Sequence, residues 1–166
     1  MELLTKEMPK KSAGNGLIYC EVKESDTYFN KKVRKEGERT VAEGQFTLFL
    51  DIIALQETVH IPISLASGKK TTGFVYQIEG TAEGKIVTTT ISCKGEGISQ
   101  VTFGTLLYAK IPRGKSARFR MTINIQGGPG KEYKIVINKI NFKLNPSDAR
   151  YKKFDAAIET KTLKLR

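Results

Sequence analysis

The sequence predicts an all-β chain: an antiparallel β-sandwich of about eight short strands, followed by a short C-terminal helix. Three observations carry this. Apolar residues recur with period two in run after run between residues 16 and 144, the pattern of strands that bury one face. Gly-rich turns separate the runs at regular intervals with no helical stretch between them, which favours antiparallel over parallel pairing. At 166 residues, the chain is long enough for one domain with a core that needs no metal or disulfide staple. The expected organisation is an N-terminal tail (1–15), a sandwich domain (16–145) and a basic C-terminal helix and tail (146–166).

In chain order, Ile18, Cys20 and Val22 share one parity and start the first strand. Residues 25–44 are polar, carry Lys31, Lys32, Arg34, Lys35 and Arg39, and read as a long loop. In residues 46–53, Phe46, Leu48, Leu50 and Ile52 alternate with Thr47, Phe49, Asp51 and Ile53. Apolar residues on both parities predict a central strand covered on both sides. Val59, Ile61, Ile63 and Leu65 form the next run, and Pro62, which has no N–H, demotes it to an edge. Phe74, Tyr76 and Ile78 follow, then the Gly80–Gly84 turn and a Thr-rich strand from Lys85 to Cys93. Strands at 98–103 and 106–111 come next.

The clearest alternation sets Phe119, Met121, Ile123 and Ile125 against Arg118, Arg120, Thr122 and Asn124. After the turn Gly127-Gly128-Pro129-Gly130, the apolar parity of Ile135 and Ile137 switches at Ile140, Phe142 and Leu144. A β-bulge near Asn138 or Lys139 restores a single buried face. Beyond Asn145-Pro146, the spacing of Tyr151, Phe154 and Ile158 predicts a helix capped by Ser147 or Asp148, and residues 160–166 end the chain extended and basic.

The segment Ile111-Pro112-Arg113-Gly114-Lys115-Ser116-Ala117-Arg118-Phe119 with its strand, followed by Gly128-Pro129-Gly130-Lys131-Glu132-Tyr133-Lys134-Ile135-Val136-Ile137, resembles the closing hairpin of immunoglobulin-like and related jelly-roll sandwiches. The resemblance covers about a quarter of the chain by the strand reading. It implies a fold and no activity. The chain contains no Trp, so the Cys-Trp-Cys signature of antibody domains is missing.

No run approaches the ~20 apolar residues of a membrane helix. Residues 1–11 mix Lys6, Lys10 and Lys11 with Glu2 and Glu7 and lack the apolar stretch of a secretory leader. The expected location is the cytoplasm or a virus particle, or the exterior if a leader is removed. Cys20 and Cys93 lie far apart on the apolar parities of their strands, and are expected as two buried, reduced thiols. No metal-ligand spacing occurs, and no cofactor is expected.

The sequence offers little for catalysis. The single histidine, His60, falls on the polar parity of its strand without an orienting partner in a motif, and reads as exposed and solvated. The glycine segments at 80–85 and 127–131 lead into strands, whereas a phosphate loop leads into a helix; they read as turns. No enzyme is expected.

Charge is the distinctive feature. Residues 1–106 carry 13 Lys+Arg and 13 Asp+Glu, while residues 107–166 carry 15 and 4, so the whole net charge of +11 lies in the last third. Parity places Arg118 and Arg120 on one outward face, and Lys139, Asn141 and Lys143 on the outward side of the next strand. If the two strands pair, four cations gather, and an anionic partner relieves their repulsion. Arg150, Lys152 and Lys153 extend the basic region into the C-terminal segment. The expected function is a structural or binding subunit of a larger assembly (virus particle, filament or surface structure), contacting an acidic protein surface or another copy of itself through these seven cations. A nucleic-acid-binding accessory protein is the alternative, although no aromatics interleave with Arg118 and Arg120 in sequence. A carbohydrate-binding module resting on Tyr19, Phe49 and Tyr108 is a further one, and a plain solvated basic face is the reading without any site.

Overall fold

The computed structural model describes residues 12–36, 39–63, 65–66, 70–71 and 73–165; for residues 13, 24–36, 39–40, 65–66 and 70–71 it describes the backbone alone. The strands, in chain order, are β1 (Ser12–Gly14), β2 (Ile18–Glu36), β3 (Arg39–Ala54), β4 (Val59–Pro62), β5 (Leu65–Ala66), β6 (Lys70–Thr71) and β7 (Phe74–Gly80). After them come β8 (Lys85–Lys94), β9 (Ser99–Phe103), β10 (Leu106–Ile111), β11 (Ser116–Gly127), β12 (Glu132–Phe142), β13 (Lys152–Glu159) and β14 (Leu163–Lys164). The protein is all-β and antiparallel, with no helix among the described residues.

One sheet has the order β1-β2-β3-β11-β8. Elsewhere β10 lies between β4 and β9, and β12 carries β7 on one edge with β13 and β14 on the other. These two groups are continuous. The Asn141 N–H donates to the Gly73 carbonyl at 2.7 Å, while Lys143 and His60 exchange backbone hydrogen bonds of 2.7 and 2.8 Å. Residues two apart on a strand turn their backbone groups to the same edge. So β7 and β4 follow one another along one edge of β12.

A single apolar cluster draws on both sets of strands. Phe46, Leu48, Leu50 and Ile52 on β3 and Phe119, Met121, Ile123 and Ile125 on β11 are all at most 1% exposed. Each such burial is worth ~1.5–3 kcal/mol. A one-residue slip of β11 turns four of them to solvent and costs about 6–12 kcal/mol, as much as the whole net stability of a typical domain. The register is therefore fixed by burial. Phe74 of β7 meets Phe119 of β11 edge-on at 5.3 Å between ring centroids, and the Tyr76 hydroxyl donates to Thr89 Oγ1 on β8 at 2.5 Å. Both contacts join strands that share no ladder.

The β12 bulge lies where the parity switch places it. Pairing with both β7 and β13 skips between Ile137 and Lys139, and Ile135, Ile137, Ile140 and Phe142 all face the core. The two glycine segments are turns, and they converge on one ring. A Cβ on Gly80, Gly84 or Gly127 would collide with the ring of Tyr133. The Tyr133 hydroxyl accepts from the Gly128 N–H at 2.8 Å and donates to the Glu83 carbonyl at 3.1 Å.

Several expectations are corrected. The predicted C-terminal helix is strand β13, which pairs with β12. Tyr151, Phe154 and Ile158 fit a helical spacing, but Phe154, Ala156, Ile158 and Thr160 are buried with period two. Ala and Thr give a weak apolar signal, and the free edge of β12 supplies the backbone partners that decide the matter. The tail then docks: Leu163 and Leu165 are buried, and Leu165 bonds Lys131 and Gly130 through its backbone.

The predicted loop at 25–44 is instead the long β2–β3 hairpin, paired out to Glu36 opposite Arg39. Its sequence has no alternation to reveal it. The predicted closing hairpin is absent, because β11 pairs with β3 and β8 while β12 pairs with β7, β13 and β14. The glycine turn carries the chain from one sheet to the other. Strand β3 is central, yet its second face is only half covered at Phe49, Asp51 and Ile53.

Candidate functional site

The separation of β11 from β12 dissolves the predicted four-cation face. Arg118 and Arg120 lie on the outward face of the first sheet, and Lys139 and Lys143 belong to the other. The structure also supplies partners that sequence could not pair. Arg118 grips Asp51 of β3 with both ends of its guanidinium, Nε to Oδ1 at 2.9 Å and Nη2 to Oδ2 at 3.2 Å. With Arg118 44% exposed, this pair contributes only ~0.2–1 kcal/mol, but it neutralises the charge locally. Lys139 lies 4.0 Å from Asp155, and its neighbour Lys134 is 3.1 Å from Glu159 and 3.8 Å from Glu79. Arg150, Lys152 and Lys153 are exposed beside the start of β13.

Lys143 is the least expected of the seven. It is 8% exposed, with its amino group 4.6 Å from the centre of the Tyr151 ring and 5.9 Å from that of Tyr108. An ammonium over aromatic faces is held by the ring quadrupoles, so this cation is a packing element. Tyr108, expected as an exposed carbohydrate platform, is 1% exposed. Burial, then its hydroxyl contact with Tyr151 at 3.4 Å, pushes its pKa up to about 12.

His60 is likewise buried, at 7%. The backbone bridge to Lys143 brings its ring against the chain, with Nδ1 3.2 Å from the Leu144 carbonyl. Desolvation lowers its pKa, reinforced by Lys110 and opposed by the Leu144 carbonyl and Asp148. Cys20 is a buried free thiol pushed up to about 12 by burial, and Cys93 is a half-buried free thiol raised by the same cause.

The outward face of the first sheet is the best organised polar surface among the described residues. Register aligns its side chains in rows across β3, β11 and β8: Asp51, Arg118 and Lys94; Phe49, Arg120 and Ser92; Thr47, Thr122 and Thr90; Gln45, Asn124 and Thr88. The last row is a hydrogen-bonded chain, Gln45 Nε2 to Asn124 Oδ1 at 2.9 Å and Asn124 Nδ2 to Thr88 Oγ1 at 2.7 Å. Two shallow open depressions lie on this face. One of about 340 Å³ is lined by Asp51, Lys94, Gly95, Ser116 and Arg118, and another of about 290 Å³ by Thr90, Ile91, Ser92, Arg120 and Thr122.

Arg120 has no carboxylate partner among the described residues, and its guanidinium sits 5.9 Å from the centre of the Phe49 ring. Lys94 and Phe49 are the members that sequence reasoning missed as neighbours of the arginines. The outward parity of Thr88, Thr90, Ser92 and Lys94 was readable; which strand they flank was not. Comparison with protein-family models, with curated proteins and with solved structures finds no match to this chain.

Proposed function

We propose that this chain is a non-enzymatic two-layer β-sandwich that serves as a structural or binding subunit in a larger assembly. Its contact is the outward face of the first sheet, centred on Lys94 and Arg120. The Phe74–Phe119 and Tyr76–Thr89 contacts support the two-layer arrangement. The crossing of the chain between sheets from β11 to β12 favours a jelly-roll type over an immunoglobulin type, whose last strands share a sheet.

The observation that carries the contact is Arg120, an arginine over a half-exposed Phe49 in a hydroxyl-lined face and without a carboxylate partner among the described residues. Arginine and aromatic side chains are enriched at binding hot spots. Arg118, held by Asp51 beside it, presents a fixed guanidinium edge to the same face. An acidic protein surface is the partner that this charge arrangement fits.

The test is a pull-down from the native source with the wild type beside Arg120→Glu and Lys94→Glu. Loss of one partner set in both variants supports the reading; full retention refutes it. The Arg120–Phe49 pair also lends itself to stacking a nucleobase. For that second reading, binding to single-stranded RNA or DNA should fall steeply with salt, and should be lost in Phe49→Ala.

A further inference from the structure

Strand β8 closes one side of the first sheet and pairs only with β11 among the described residues. Its ten residues, KIVTTTISCK, are mostly β-branched and contain no acidic residue; the charges are Lys85 and Lys94, one at each end. An open edge of this kind is a template for another strand, and natural sheets blunt it with charges, bulges or covering elements. Here the blunting sits at the ends. The register slips at Val87, which is 48% exposed, but from Thr88 to Lys94 the ladder with β11 runs unbroken. That is as long as a common strand.

The other set of strands also leaves a face exposed on this side of the molecule. At the opposite side of the first sheet, β1 lies against β13. The other set of strands therefore ends with β10 and β9 on the β8 side. Gln100 and Thr102 of β9 pair with Ala109 and Leu107, which face inward, yet both are exposed. Their exposure leaves this face of β9 uncovered among the described residues. A strand added to β8 would extend the first sheet and pack its inward face toward that uncovered surface.

We propose that the β8 edge, at residues 88–93, is a strand-docking site for an extended segment of a partner protein that carries acidic residues at its ends. The proposal rests on the binding-subunit reading and adds to it a second surface, the strand edge, which shares Lys94 with the outward face. Charge selects the occupant. Two copies of β8 paired antiparallel about their midpoint would set Lys85 against Lys94 twice, and like charges directly opposite are unfavourable. A segment with Asp or Glu at each end meets both lysines. Main-chain hydrogen bonds supply affinity in this mode, and alternate side chains supply choice.

The test uses a synthetic peptide of alternating threonine and valine with aspartates at each end, added to the full chain and followed by amide hydrogen exchange. The expected result is new protection confined to β8, with a Kd no weaker than about 1 mM. Affinity should drop about tenfold or more in a Lys85→Glu, Lys94→Glu double variant, and docking should be lost when alternate peptide amides are N-methylated. Equal binding of the N-methylated peptide, or no protection of β8, overturns the proposal. So does a concentration-dependent dimer that the peptide displaces, since the occupant is then a second copy. Because Arg120 is not on the edge, Arg120→Glu separates the two surfaces. Protection lost in that variant assigns the peptide to the outward face and refutes the edge alone, whereas protection kept in it stands even if the outward-face contact fails.

Discussion

Replacing Ala157 by glycine should stabilise this protein, and the sign of that change tests the structure of the whole C-terminal segment. Ala157 lies within β13 with φ at 48°, where the pairing of β13 with β12 is irregular. The left-handed region costs a residue with a Cβ ~1–2 kcal/mol. Glycine removes that cost but gives back ~0.4–1 kcal/mol through its freer unfolded chain. The net gain is about 0.5–1 kcal/mol, or a rise of roughly 1–4 °C in Tm for a chain of this size. The side chain is exposed, so no packing is lost. In a helix, the same change would cost ~1 kcal/mol, and in a regular strand ~0.5–1 kcal/mol. The assay is thermal unfolding followed by circular dichroism, with Ala156→Gly as the control. Ala156 is fully buried and has no left-handed backbone, so its substitution should lower Tm. A fall in Tm for Ala157→Gly would refute the left-handed bulge.

Three further outcomes are expected. Tyr133→Phe removes one donor and one acceptor at a 1% exposed site and leaves the Gly128 N–H and the Glu83 carbonyl without their partner; chemical denaturation should show a loss of ~1–3 kcal/mol. The thiol reagent test is simple: neither Cys20 nor Cys93 should react at the rate of a free thiol in the native protein, Cys20 being the slower, and both should react at once in denaturant. The His60 pKa is lowered from 6.5, so below about pH 6.5 the unfolded chain binds more protons at this position than the folded one. His60 therefore withdraws stability as pH falls through that window and has no such effect above it. A His60→Gln variant should show a flatter decline on acidification than the wild type, and parallel curves would contradict the assignment.

The elements that were readable in the sequence are those whose burial is periodic. Strand β11 and the inward face of β3 declared themselves because alternate large apolar residues have no other use, and the parity switch at Ile137–Ile140 announced the β12 bulge. Both cysteines are free thiols, Cys20 buried as its parity suggests and Cys93 only half-buried. The C-terminal strand reads as a helix because Ala156 and Thr160 hide its period, and the β2–β3 hairpin reads as a loop because residues 25–44 have no apolar alternation.

For the candidate site, the sequence by itself determined which cations exist, that they crowd into the last third of the chain, and which parity Arg118 and Arg120 take. Tertiary structure alone decided their company. Strand pairing put β11 between β3 and β8 instead of beside β12. That choice handed Asp51 to Arg118, Phe49 to Arg120 and Lys94 to their face, and it sent Lys143 between two tyrosine rings. The physical reason is that parity is a local property of a strand, set by a two-residue repeat. Which strands become neighbours depends on how the whole set of apolar faces closes over one core, and residues 67 positions apart, as Asp51 and Arg118 are, leave no mark of that in the local pattern.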